Sequence, residues 1–346
     1  MTTLAATVDF IVDSRRRRAR WRGVVIAILL ALLAATFVLS LSLGQSFTPL
    51  EEVVSVLRGE QVSGASFIVG QLRLPRAVLS VLAGLSFGLG GAAFQIMLRN
   101  PLASPDIIGI NLGASAAAVF AIVVLRMNGP AVSVFAVVAG LGVALLIYVL
   151  SFRNGVAGTR LILVGIGISA MMQSTIAYIL SNAPAWNLHE AMRWLSGSVN
   201  GAQLHQALPL VLGLAVFGSL LVSHARNLET LRLGDDTAAA LGVGIARTRI
   251  MVIVAAVGLI AFATAVTGPI AFVAFLSGPI AARIVGNNGS LLIPSALIGA
   301  LLVLVSDYCG QFLLPTRYPV GVVTGALGAP YLIFLIVRAN RTGASL

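Results

Sequence analysis

The chain has 346 residues, 58% of them hydrophobic and only 10% charged, against about a quarter charged in a soluble domain; it is therefore an integral membrane protein. At about 20 apolar residues per spanning helix, its length allows at most a dozen spans. The formal net charge of +11 comes from arginine alone, because the chain contains no lysine, which excludes both a lysine-containing phosphate loop and a lysine Schiff base.

Residues 1–22 form a basic N-terminus ending in SRRRRARWR, and an apolar run follows from Gly23 to Leu43. The run is too long for a signal peptide and lacks a clear A-x-A exit, so it is predicted to be an uncleaved first span. The next polar interval, with Glu51, Glu52 and Glu60, is expected outside. A second span is predicted from Leu74 to Leu98, after which RNPLASPD breaks the chain at Pro101 and Pro105. A third segment covers Ile107 to Val124, and further spans fit 130–151, 160–181 and 206–223. The apolar runs are continuous, which excludes the alternation of a transmembrane β-barrel.

The longest interior polar interval, 225–249, reads ARNLETLRLGDDTAAALGVGIARTR. Asp235 and Asp236 suit a helix N-terminus, Thr237 to Leu241 is small and apolar, and Gly242 suits a C-terminal stop. A helix of about seven residues cannot hold itself in water. It must lie against its own spans or another protein, or it is a plain linking loop. Spans at 250–267, 271–285, 291–313 and 320–337 complete ten, with both termini cytoplasmic, a transmembrane body over 23–338 and a tail over 339–346. This topology puts 16 arginines inside and 6 outside, as the positive-inside tendency favours. The arginines thus answer to membrane orientation, and no nucleic-acid partner is expected. Gly268-Pro269 and Gly278-Pro279 suggest short or broken helices.

Arg73 and Arg76 flank Pro75 at the predicted outer start of the second span. Cations there oppose the helix dipole. They either snorkel to lipid headgroups or meet acids on a docking protein, and Arg317 is a looser third candidate. Asn100 and Leu102, with Gly158 and Thr159, lie at predicted cytoplasmic ends, either as simple span breaks or as small gating positions. Asp307 lies inside an apolar segment, where a carboxylate is a functional hypothesis by default; pairing with an arginine is the structural alternative. Gly84, Gly88 and Gly91, then Gly321, Gly325 and Gly328, read as close helix packing. His189, His205 and His224 share no metal-ligand spacing, the single Cys309 excludes a disulfide or cysteine cluster, and no nucleophile–base pair marks an enzyme. A proton-driven carrier would need midplane ionisable groups, and Asp307 is almost the only candidate.

Six stretches occur in order: RLPR at 73–76, NPLASPD at 100–106, MRWLSGSVNG at 192–201, LGDDTAAALGV at 233–243, GPIAFVAFL at 268–276 and YPVGVVTGALGAPYLI at 318–333. Together they resemble the FecCD family of ABC-transporter permeases, which import iron-siderophores, haem and vitamin B12. The resemblance implies an all-α polytopic protein of type II ABC importer fold, with about ten transmembrane helices, in the cytoplasmic (inner) membrane of a bacterium. It implies two ATPase subunits, an extracytoplasmic binding protein and a second permease subunit. NPLASPDIIG and LGDDTAAALGV are most similar to subunits that work in heterodimers. The loop at 225–249 would be the coupling segment, with Leu233, Gly234, Asp235, Asp236, Ala238, Leu241 and Gly242 at the ATPase. Arg73 and Arg76 would meet glutamates of the binding protein; a further family arginine position is Gln311 here. Asn100, Leu102, Gly158 and Thr159 would form the inner gate. No cofactor or metal is expected in this chain, because iron would travel within its chelator and ATP and Mg would sit on the partner ATPase. The family's histidine after the GPI motif is replaced by Ile280.

Overall fold

A computed structural model describes residues 2–103, 109–151, 158–286 and 289–341. Every regular element among them is helical. In chain order these are α1 (Thr2–Ser42), α2 (Leu50–Leu57), α3 (Leu74–Leu98), α4 (Ile110–Val123), α5 (Pro130–Ser151), α6 (Gly158–Ser181), α7 (Ala185–Leu195), α8 (Ala207–Gly213), α9 (Ser219–Ser223), α10 (Ala225–Leu231), α11 (Asp235–Ala240), α12 (Ile245–Thr267), α13 (Val273–Val285), α14 (Leu292–Tyr308) and α15 (Val320–Arg341). A π-helical stretch, Leu214–Gly218, joins α8 to α9, so that 204–223 forms a single span. Among the described residues seven helical stretches are long and apolar enough to cross a membrane, and three shorter apolar helices, within α4, α13 and α15, complete the ten segments expected. Pro105, Asp106, the expected start of the third segment at Ile107 and the tail from 342 lie outside the described residues.

Several boundaries differ from the sequence reading, each for a physical reason. The basic N-terminus and the first span form one helix, α1, because nothing between Thr2 and Ser42 breaks it. The polar interval after the first span holds α2, which buries Val53. Pro75 does not start the second span, which begins at Ser66 with a π-helical stretch, Ser66–Arg73, running directly into α3. Proline lacks the N–H and clashes with the carbonyl four residues back; the wider π turn, with Leu74 N–H donating to Val69 O, accommodates it. Gly278-Pro279 does not interrupt the chain either, since Pro279 lies within α13. The carbonyl that Pro279 leaves unbonded, Phe275 O, accepts a 2.9 Å hydrogen bond from Gln95 Nε2 of α3. Gly268 does end its helix, at φ 69°.

The stretches 66–98, 245–267 and 292–313 are largely enclosed, whereas 12–42, 130–151, 160–181 and 204–223 lie mostly on the surface. Small residues bring the enclosed helices together. A Cβ on Gly84 would lie 2.5 Å from Ala300 Cα, one on Gly88 would strike Ser295 O, one on Gly91 would strike Ala274 O, and Gly299 faces Gly84 O in return. Helices in lipid associate through this kind of backbone proximity. The second glycine set behaves differently: Gly321 packs on Ser196 O and Gly328 on the Phe272 ring, but a Cβ on Gly325 would meet nothing within 4 Å. Gly84→Ala is therefore expected to destabilise the solubilised protein by about 1–3 kcal/mol through overpacking. Gly325→Ala, which gains helix propensity without a clash, should leave the thermal midpoint equal or higher; thermal unfolding of both variants checks this.

Candidate functional site

The two ends of the bundle carry different chemistry, and α3 joins them. At one end a cavity of about 830 Å³ is enclosed by the end of α1, the π stretch before α3, the 199–205 segment, the end of α14 and Arg317. Its wall holds Arg73, Arg76 and Arg317 against a single acid, Asp307, so it is cationic overall. Two of the helical stretches that line it are π-helical, 66–73 and 309–313, a distortion that clusters at functional sites.

Arg73 is committed within the chain. Its Nη1 donates to Leu41 O (2.8 Å) and Ser42 O (3.0 Å), and its Nη2 to Ser46 O (2.6 Å). Carbonyls at a helix C-terminus lack intrahelical partners and carry partial negative charge, so Arg73 caps α1. Arg76 forms a bidentate pair with Asp307: Nε donates to Oδ2 at 2.5 Å and Nη2 to Oδ1 at 2.6 Å. Only 8% of the Asp307 side chain is exposed. Asp307 thus has the arginine partner that was its structural alternative, and both Arg73 and Arg76 are bonded within the chain. Of the three docking candidates only Arg317 is exposed. Removing one member of a buried pair strands the other charge, so Arg76→Ala is expected to cost about 3–5 kcal/mol. The double change Arg76→Met/Asp307→Leu should recover most of that stability in thermal unfolding.

Three of the sequence motifs knot together beside the cavity. Ser198 N–H donates to Thr267 O (2.7 Å) and Gly321 N–H to Gly197 O (3.1 Å). A Cβ on Gly197 would strike Pro269 O, one on Gly268 would strike Trp194 O and one on Gly321 would strike Ser196 O. The glycines of MRWLSGSVNG, GPIAF and YPVG are thus where three backbones touch.

At the opposite end, 225–249 folds into α10, α11 and the start of α12. Gly234 (φ 106°) precedes α11, and Asp235 and Asp236 occupy its first turn. Gly242 (φ 83°) ends it, with Gly242 N–H donating to Ala239 O (2.9 Å) and Val243 N–H to Ala238 O (3.0 Å), the Schellman closure. The predicted apolar contacts divide: Ala238 is fully buried against its own chain, whereas Leu233 and Leu241 are each 63% exposed. Asp236 is exposed, but Asp235 is bonded to Arg99 and Arg249. Asp235 thus has cations from its own chain, supplied by neighbours at the ends of α3 and α12.

Beside this end Asn100 Oδ1 accepts the Leu102 N–H (2.8 Å) and adjoins a smaller cavity lined by Gln95, Arg99, Pro101 and Pro279. Gly158 and Thr159 open α6; their side chains lie outside the described residues. Gln95, 7% exposed, was missed in the sequence, although a lone amide within an apolar span is a signal that could have found it. Among the described residues no cluster of His, Cys, Asp or Glu is placed to hold a metal ion.

The family model of the FecCD transport family matches residues 32–338. The chain belongs to the FecCD transport family. Relatives of this FecCD protein include the ferric enterobactin transport system permease protein FepG of Escherichia coli (strain K12), 38% identical over 84% of this chain and 88% of that protein. The achromobactin transport system permease protein CbrC of Dickeya dadantii (strain 3937) is 37% identical over 91% and 92%. A solved structure described as a metal-chelate type ABC transporter in an inward-facing conformation superposes with a TM-score of 0.79 at 26% identity, covering 91% of this chain and 99% of that one. The FecCD chain is thus a multi-pass ABC permease, a transport subunit and not itself an enzyme.

Proposed function

We propose that this chain is one of two permease subunits in a binding-protein-dependent importer of ferric siderophores in a bacterial inner membrane, driven by two separate ATPase subunits. The observation that carries the drive mechanism is α11, a six-residue helix that leaves Leu233, Asp236 and Leu241 uncovered while anchoring Ala238 inward. Two exposed leucines around an acid suit a partner groove with apolar walls and a cation. This end is taken as cytoplasmic, together with 1–22, 225–249, the tail and both termini, and the cavity end as external.

The cargo reading is supported by the relatives, whose names refer to ferric enterobactin, achromobactin and iron(3+)-hydroxamate. In the same reading the chain carries no cofactor: iron arrives within its chelator, and ATP and Mg stay on the partner subunits. The cationic cavity suits either an anionic chelate or the acidic face of a docking protein, with Arg317 at the accessible rim and Arg73 and Arg76 shaping the wall. The second permease subunit, taken as a different chain, completes the pathway. Asn100 and Leu102, with Gly158 and Thr159, are assigned to the inner gate. A proton-driven carrier is the weaker reading because Arg76 occupies both oxygens of Asp307, the acid that mechanism would use. Haem or vitamin B12 as cargo remains the alternative within the family.

The test is to co-purify the assembled complex and follow uptake of ferric enterobactin in proteoliposomes. Asp236→Arg with Leu241→Arg should weaken ATPase association at least tenfold, about 1.4 kcal/mol, and stop uptake with it. Uptake that persists and instead collapses with the proton gradient would overturn the reading.

A further inference from the structure

Asp235 joins α11 to two enclosed spans at once. Its Oδ1 accepts from Arg99 Nη2 at 3.0 Å and from Arg249 Nη2 at 3.1 Å, and its Oδ2 from Arg249 Nη2 at 2.9 Å. Arg99 is the C-cap of α3, and Arg249 lies near the start of α12. Arg99 adopts the left-handed conformation (φ 53°), at a helix end where glycine would sit without strain. The arginine costs conformational energy there, and what it adds is a guanidinium on Asp235. Asp236, one residue along, is exposed and makes no ion pair among the described residues. Neighbouring acids on one short helix therefore face different ways.

We propose that Arg99, Asp235 and Arg249 form the linkage that carries displacement of α11 into α3 and α12. Asp235 is a positioning residue acting within the chain, while Leu233, Asp236 and Leu241 meet the driving subunit. This rests on the docking reading above. Buried Ala238 and the glycine closure at Gly242 make α11 move as a unit. Charge-assisted bonds to two helices then transmit that movement more directly than the two flanking turns could. α3 is the receiving element of consequence, because its other end carries Arg76 and the cavity wall.

The experiment uses the complete transporter with its ATPase subunits and reads the π-helical stretch that runs into the far end of α3. Leu72, exposed at the cavity, is changed to cysteine in a Cys309→Ser background. Its maleimide labelling rate is compared with and without trapped nucleotide, a readout that needs no cargo. The parent should show a nucleotide-dependent rate, and in Arg99→Gly and Asp235→Asn the ratio of the two rates should fall to about one. Both variants should keep their ATPase subunits and ATP hydrolysis, and Arg99→Gly should retain or raise its thermal midpoint because glycine removes the strain; a merely structural arginine would lower it. A nucleotide-dependent rate preserved in both variants, or absent from the parent, overturns the linkage. The docking reading fails separately, if Asp236→Arg/Leu241→Arg retains its ATPase subunits.

Discussion

The rest of the structure depends on how closely α3 and α14 approach. Gly84, Gly88 and Gly299 let the two backbones touch, which side chains at those positions would prevent. In lipid there is no hydrophobic gain from bringing helices together, so such contact supplies the packing energy. The same two helices are joined at the cavity end by Arg76 and Asp307. That pair is largely buried near the helix ends and is bidentate, so both carboxylate oxygens are satisfied.

With α3 held inside the bundle, its neighbours use it to resolve their own irregularities. Pro279 in α13 frees a carbonyl that Gln95 of α3 covers, which keeps a proline-containing helix intact inside the membrane. The π stretch before α3 absorbs Pro75 and turns Arg73 toward the open carbonyls of α1. Arg99 ends α3 in a strained conformation and reaches the short helix. One helix thereby touches the cavity, the proline helix and the end that carries α11.

The arginines show how a charge count and a charge's role come apart. Their distribution along the chain supports an orientation in the membrane. Their work is local: Arg73 covers carbonyls, Arg76 neutralises a buried acid, and Arg99 and Arg249 hold Asp235. Arg283 lies over the rings of Tyr331 and Phe334, a cation–π contact between α13 and α15.

Composition and apolar run length by themselves determined the membrane class, the approximate number of segments and the short helix between Gly234 and Gly242, because these depend on local hydropathy and on capping chemistry read over a few residues. The ordered motifs carried the family. Tertiary structure alone decided that Pro279 stays helical and Pro75 lies inside a helix, since each outcome needs a partner or a turn geometry from elsewhere: Gln95, 184 positions before Pro279 in the numbering, or the π stretch. It also decided that Asp235 is bonded within the chain while Asp236 is exposed. In sequence the two acids are equivalent; only the folded chain brings Arg99 and Arg249 to one of them.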